Sequence, residues 1–326
     1  MKSKKDKILS NWHRSTWWTE EALPYLSKEA RRAPYRNLSQ ILYKPPESPV
    51  QLMDEDWDNV IILDACRYDL FEQTHTLTGG DLEFRISPGS ATPEFLQRNF
   101  EDQRYLDTVY VTANPMYQTK GLEDVFYKVV DVWDDHWDDE LKTVIPESMV
   151  DPTIKAQEDH PNKRIISHFM QPHYPFIGEI ANELGRQGGF ELTYKRATGK
   201  DASRDDPTVW ERLKHGEVSR EQVWDAYREN LEITFPHVKS LLRQLDGKSV
   251  VTSDHGNLVG EKIFRFGTKL YGHPVGFRCE QLNKVPWMIF ESDDRRKITE
   301  AESVTRSSST SEKVSERLAD LGYVDI

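Results

Sequence analysis

Asp254 and His255 follow two β-branched residues, Val250 and Val251, in the stretch SVVTSDHG that runs from residue 249 to 256. A short buried strand of that kind delivers a carboxylate and an imidazole side by side at its C-terminal end, where open α/β sheets bind ligands. Carboxylate and neutral imidazole together are natural ligands for a divalent metal. A strand end without a chemical role is the plainer alternative. Three other stretches have a similar shape. NVIIL, residues 59 to 63, suits a central parallel strand covered on both faces. It empties into Asp64, which either faces Asp254 and His255 or caps the helix beginning near Arg67. KRIISHF runs into MQPHYPF, so His168 and His173 flank a strand exit held extended by Pro172 and Pro175. That pair reads either as ligands and substrate contacts or as structural histidines. In SPGSATPEF, Thr92 reads as the cap of a helix with Pro93 at its first position. A hydroxyl there, at the positive end of the helix dipole, also suits a nucleophile that attacks an anionic phosphorus or sulfur centre. Cys66 has no base beside it and reads as a packing residue.

The elements that must position these groups follow from periodicity. Residues 107–113 and 125–132 read as strands, and so does 285–290. From 219 to 245, Val223, Tyr227, Leu231, Phe235, Val238, Leu242 and Leu245 recur at helical spacing, with Pro236 expected to kink or split the helix. Helix then strand is the alternation of a parallel sheet. Residues 1–56 form an N-terminal extension with one or two short helices, whose aromatic pairs are expected to pack on the main domain, residues 57–300. Residues 177–218, polar and charged, read as an insertion or lid with a short helix near 207–214. Residues 256–272 read as a loop, and 301–326 as a Ser/Thr-rich linker with a terminal helix. The acidic run from Asp134 to Asp139 lacks the glycine and ligand spacing of an EF-hand and reads as a solvated loop.

Composition narrows the function classes. With 55 acidic against 43 basic residues and a formal charge of −12, a general nucleic-acid binder is disfavoured, although a locally positive pocket is not. Two cysteines imply no disulfide framework. No run approaches the roughly 18 apolar residues of a transmembrane span, and MKSKKDKILSNWHRS lacks the apolar stretch of a secretory signal. The expectation is a cytoplasmic protein without a transmembrane segment or a nucleic-acid partner.

Four of these stretches, in order, carry a family resemblance. NVIILDACRYD is similar to the opening strand and Asp of sulfatases and their relatives in the alkaline phosphatase superfamily. SHFMQPHYPF resembles their His-x-Pro-His-type segment, VVTSDHGN resembles their paired metal ligands, and YGHP followed by KVPWMIF resembles the histidine and Val-Pro strand that come after. LADLGY is similar to the ending of such chains, so the likeness spans roughly residues 57 to 323. The resemblance implies an α/β fold with a mostly parallel central sheet and helices on both faces. It further implies that Asp64, Asp254 and His255 hold a divalent metal (zinc, manganese, magnesium or calcium), with Thr92 both nucleophile and ligand. His173 and His273, with His168, would contact the substrate anion or complete a second metal site. The implied activity is hydrolysis or transfer at a phosphate or sulfate ester, small or glycan- or lipid-linked. A catalytically inactive scaffold on the same fold is the alternative. Two departures stand out. Ala91-Thr92-Pro93-Glu94-Phe95 replaces the Cys/Ser-x-Pro-Ser-Arg motif of formylglycine sulfatases, which favours phosphodiesterase, phosphonate and phosphotransferase relatives and leaves Ser90 as reserve nucleophile. Ala65 stands where family members often carry a second acidic residue.

Overall fold

The continuous apolar runs of the sequence become neighbours in one sheet. A computed structural model of the chain describes residues 23–185, 187–188, 191–198, 207–265 and 267–300. In it, strands β1 (Asn59–Leu63), β2 (Asp81–Ile86), β3 (Tyr105–Thr112), β4 (Phe126–Asp131), β5 (Arg164–Phe169) and β6 (Ser249–Thr252) share a sheet with a late strand, Lys284–Phe290. Between β6 and that strand lie β7 (Leu258–Glu261) and β8 (Leu270–Gly272), so the last strand is β9. The order across the seven-stranded sheet is β2-β9-β6-β1-β5-β3-β4. β6, β1, β5, β3 and β4 run parallel, whereas β9 is antiparallel to both of its neighbours. This is a mixed, mostly parallel α/β sheet, the fold class expected from the resemblance.

Alternation along the strands fills a core on each face, because successive side chains of a strand point to opposite sides. On one face Ile61, Leu63, Val109, Val111 and Val251 meet Ala156, Leu231, Phe235 and Val238 from the helices Val150–Asp159 and Arg220–Gln244. On the other, Val60, Ile62, Tyr110, Ile166 and Val250 meet Phe95, Leu96 and Phe100 of the helix Thr92–Phe100. Each fully buried Leu or Phe contributes about 1.5–3 kcal/mol, which fixes this helix firmly against the sheet.

Register then sets the height of the chemistry. Ile62 of β1 pairs with His168 of β5 and Thr252 of β6, and His168 pairs with Thr112 of β3. Asp64, Asp254 and Asn114 each stand two residues beyond that level, so β1, its neighbour β6 and, one strand further across β5, β3 each present one polar side chain at a common rim.

Several expectations change. Thr92 is the first residue of its helix and Ala91, in extended conformation, precedes it, so the hydroxyl does not cap and is free for other work. Residues 81–86 form β2, unread in the sequence. Residues 256–272 contain the antiparallel ribbon β7–β8 rather than a plain loop. The helix Arg220–Gln244 runs unbroken through Pro236 and starts with a capping box, the Ser219 and Gln222 side chains each bonding the other's backbone N–H. The insertion carries helices Glu179–Glu183, Glu191–Ala197 and Val209–His215. The described part of the N-terminal extension holds a helix of 20 residues, Leu23–Leu42, and a 3-10 turn, Leu52–Asp54. The linker and terminal helix expected over 301–326 lie outside the described residues. Among the described residues, no helix is long and apolar enough to cross a membrane.

Candidate metal and nucleophile site

At the rim the four separate stretches converge. Thr92 Oγ1 lies 3.5 and 3.4 Å from the two carboxylate oxygens of Asp64 and 3.2 Å from His255 Nε2. His255 Nε2 lies 3.8 Å from Asp64 Oδ1 and 3.4 Å from Asp254 Oδ2. One ligand atom from each of Asp64, Asp254 and His255 falls within 4.8 Å of the others, and all three residues are buried. Ligands bound at about 2.1 Å around one tetrahedral ion stand roughly 3.4 Å apart, so these separations match donors arranged for a common cation.

The hydrogen bonds orient those donors. The His255 ring bonds the Gly256 carbonyl through Nδ1 at 2.9 Å, which puts the proton there and leaves Nε2 a free lone pair. Asp254 Oδ1 accepts from the backbone N–H groups of Ala65 and His255 at 2.8 and 2.9 Å, while its Oδ2 is buried without a partner. Asn114 donates to Asp64 Oδ2 at 2.8 Å. Burial, then the charge of Asp254, raises the Asp64 pKa well above the usual carboxylate range, and burial likewise raises Asp254. Two carboxylates and an orphaned oxygen in a buried pocket call for a cation, since unpaired buried charge is costly. A divalent metal fits this donor set.

His168, on β5, turns its unpartnered Nε2 toward Asp64 Oδ2 at 3.8 Å, and its Nδ1 meets the Tyr110 hydroxyl at 2.7 Å. The geometry therefore sets His168 against the carboxylate rather than in the outer group. That outer group is formed by His273 and His173, whose rings are centred 5.0 Å apart, with His273 also 4.7 Å from His255. Asn257 accepts from His273 Nδ1 at 2.8 Å, which leaves the lone pair of that ring on Nε2, and the Tyr174 carbonyl accepts from His173 Nδ1. Burial pushes His168 and His255 down to about 4, and burial with neighbouring imidazoles pushes His173 and His273 well below the ordinary histidine range. All four are neutral near neutrality, the state in which an imidazole binds metal.

Three groups in this arrangement escaped the sequence reading. Asn114, Asn257 and Tyr110 sit in ordinary polar or strand contexts, and only strand register brings them to the site. Ser90, the reserve nucleophile, is turned away: its hydroxyl donates to the Pro274 carbonyl at 3.0 Å and accepts from Gly276 N–H at 2.9 Å. Cys66 is buried, its thiol pushed up by burial, as a packing residue should be. Ala65 adopts φ +60° at the turn where relatives place an acid, and its N–H, not a side chain, serves Asp254.

No protein-family model matches the sequence, and no curated protein matches it. Solved structures do resemble it. The integral membrane protein lipooligosaccharide phosphoethanolamine transferase A from Neisseria meningitidis is 11% identical over 89% of this chain and 60% of its own, with a TM-score of 0.50. The chain thus spans well under two thirds of that protein's length. The C-terminal periplasmic domain of EcEptC from Escherichia coli, in complex with Zn, is 14% identical over 72% of each chain, with a TM-score of 0.46. A protein in the alkaline phosphatase superfamily from Vibrio parahaemolyticus is 13% identical over 80% of this chain and 68% of its own, with a TM-score of 0.37. The structural neighbours of this chain are alkaline phosphatase superfamily proteins, and the likeness is one of fold.

Proposed function

We propose that this protein is a metal-dependent transferase or hydrolase of phosphate esters, most active on phosphodiesters, with Thr92 as its nucleophile. One observation carries the reading: the Thr92 hydroxyl stands within 3.5 Å of Asp64 and His255, beside a buried carboxylate oxygen of Asp254 that has no partner. Asp64, Asp254, His255 and Thr92 would hold the metal, which when bound lowers the hydroxyl pKa and neutralises charge on the reacting phosphoryl oxygens.

The residues do the rest. Thr92 Oγ1, its proton released to solvent, attacks phosphorus, a new P–O bond forms, and the ester bond to the leaving oxygen breaks. An anionic ester beside His173 and His273 favours their protonation, and a protonated Nε2 then donates to the leaving oxygen. Water or an acceptor hydroxyl then attacks phosphorus and gives its own proton to the same imidazoles, and the P–O bond to Thr92 breaks to return the Thr92 oxygen. Threonine in place of a formylglycine precursor supports phosphorus over sulfate esters.

The test is a panel of nitrophenyl phosphomonoester, phosphodiester, phosphonate and sulfate substrates with each of zinc, manganese, magnesium and calcium. Wild type is expected to turn over the phosphodiester fastest. Thr92→Ala should lose at least about 100-fold, and intact-mass spectrometry should find the phosphoryl adduct on wild type alone. Equal rates in the two proteins remove Thr92 from its role.

A further inference from the structure

The helix Leu23–Leu42 is amphipathic in the unusual sense. Its polar side grips the body: Ser39 Oγ accepts from Arg278 N–H at 3.1 Å, and Gln40 donates to the Gly276 carbonyl at 2.7 Å. Ser39 is buried. Its apolar side faces outward. Tyr35, Leu38, Ile41 and Leu42, which share a stripe at spacings of three and four, are 39%, 41%, 66% and 55% exposed, and Val275 in the gripped loop is 55% exposed. These five are the exposed large hydrophobic residues among those described. Singly they would need no comment, but a clustered apolar face marks an interaction site.

Charge indicates the occupant. The first 44 residues hold ten Lys and Arg against four Asp and Glu, a formal +6 in a chain of −12 overall. Within the helix, Lys28, Arg31, Arg32 and Arg36 oppose Glu29 alone. The same 44 residues contain Trp12, Trp17, Trp18, Tyr25, Tyr35 and Tyr43. Basic residues with amphipathic aromatics beside an exposed apolar stripe are the composition of a helix lying in an anionic bilayer surface. The rest of the molecule is acidic and would be repelled, so attraction is confined to this end.

We propose that the outward face of the helix Leu23–Leu42, together with Val275, is a membrane-surface docking site for anionic lipid. Its position couples it to the candidate site. The loop it grips leads directly from His273, and the Pro274 carbonyl and Gly276 N–H bond Ser90, two residues before Thr92. A bilayer bound at Val275 lies two residues along the chain from His273. The inference does not depend on catalysis, and its readout is independent of turnover.

Flotation of the full chain with phosphatidylcholine vesicles, with and without phosphatidylglycerol, tests it. Binding is expected only with phosphatidylglycerol, and it should weaken as salt screens the basic residues. Leu38→Glu/Ile41→Glu/Leu42→Glu should lower vesicle affinity at least tenfold while circular dichroism and metal binding stay as in wild type, since these side chains are exposed. Arg31→Glu/Arg32→Glu should lower it similarly at low salt. Two results overturn the proposal: no binding to anionic vesicles, or a wild-type dimer that the apolar triple variant converts to a monomer without any lipid binding, which would make the face a contact between copies.

Discussion

At the scale of single residues, the site pairs groups whose protonation preferences are pushed in opposite directions. Burial raises Asp64 and Asp254 and lowers His255 to about 4. A metal needs the carboxylates ionised and the imidazole neutral, so protons on the raised carboxylates compete with an incoming ion. The sign follows from the raised direction. As pH falls toward the elevated carboxylate values, more metal-free protein carries a proton there, so each binding event releases more protons and affinity drops. Calorimetric titration with zinc, in buffers of different ionisation enthalpy, should show greater proton release and weaker binding as the pH is lowered. Asp254→Asn should lower proton release, because one of the two competing carboxylates is gone. No proton release at any pH would mean that the pair is already fully ionised.

Secondary structure determines whether these residues meet, and here the turn after β1 is decisive. Ala65 sits at φ +60°, a conformation costing about 1–2 kcal/mol for a residue with a Cβ. It is held by its N–H to Asp254, by the Tyr227 hydroxyl, which donates to its carbonyl, and by Asn257 on the same carbonyl at 3.4 Å. Tyr227 comes from the helix Arg220–Gln244, so that helix props the turn that aims Asp64. Ala65→Gly should therefore be neutral to stabilising by about 1 kcal/mol, its backbone freedom offsetting part of the relieved strain. Ala65→Val, β-branched at a positive φ, should destabilise by about 2 kcal/mol or more and weaken metal binding. Urea unfolding of both variants checks this, and a stable Ala65→Val would remove the strain from the account. The amphipathic period from Val223 to Leu245 made the propping helix legible in the sequence, and the apolar runs before Asp64 and Asp254 made their strands legible. What escaped was set by partners distant in the chain. β2, DLEFRI, is the exception, since its strict polar-apolar alternation is a strand pattern that went unread, whereas Asn114 has no signal until β3 is known to lie beside β5. Thr92 was misread as a cap because cap and first helical residue differ only in backbone angles, which depend on where Ala91 is held.

Across the whole molecule, the proposed ligand set ties together segments separated by up to 191 positions, from Asp64 through Thr92 to His255. A cation there binds the folded chain alone, because the unfolded chain brings no such donors together, and so it stabilises by mass action. At about 100 times its dissociation constant the gain is about 2.7 kcal/mol, which for a chain of this size is a rise of roughly 4 °C in Tm. Zinc should produce that shift in thermal unfolding and a chelator should reverse it. Asp254→Asn sharpens the test, since its two conditions move oppositely. The amide oxygen can still accept from the Ala65 and His255 N–H groups, and the variant no longer places a charge on an unpartnered buried oxygen beside Asp64. Without metal it should be at least as stable as wild type, because the raised pKa of the buried pair marks a cost of ionisation that the amide removes. With zinc it should show little or none of the shift. A folded scaffold without a metal function gives a different pattern: zinc moves neither protein, and the substitution alone changes the melting temperature.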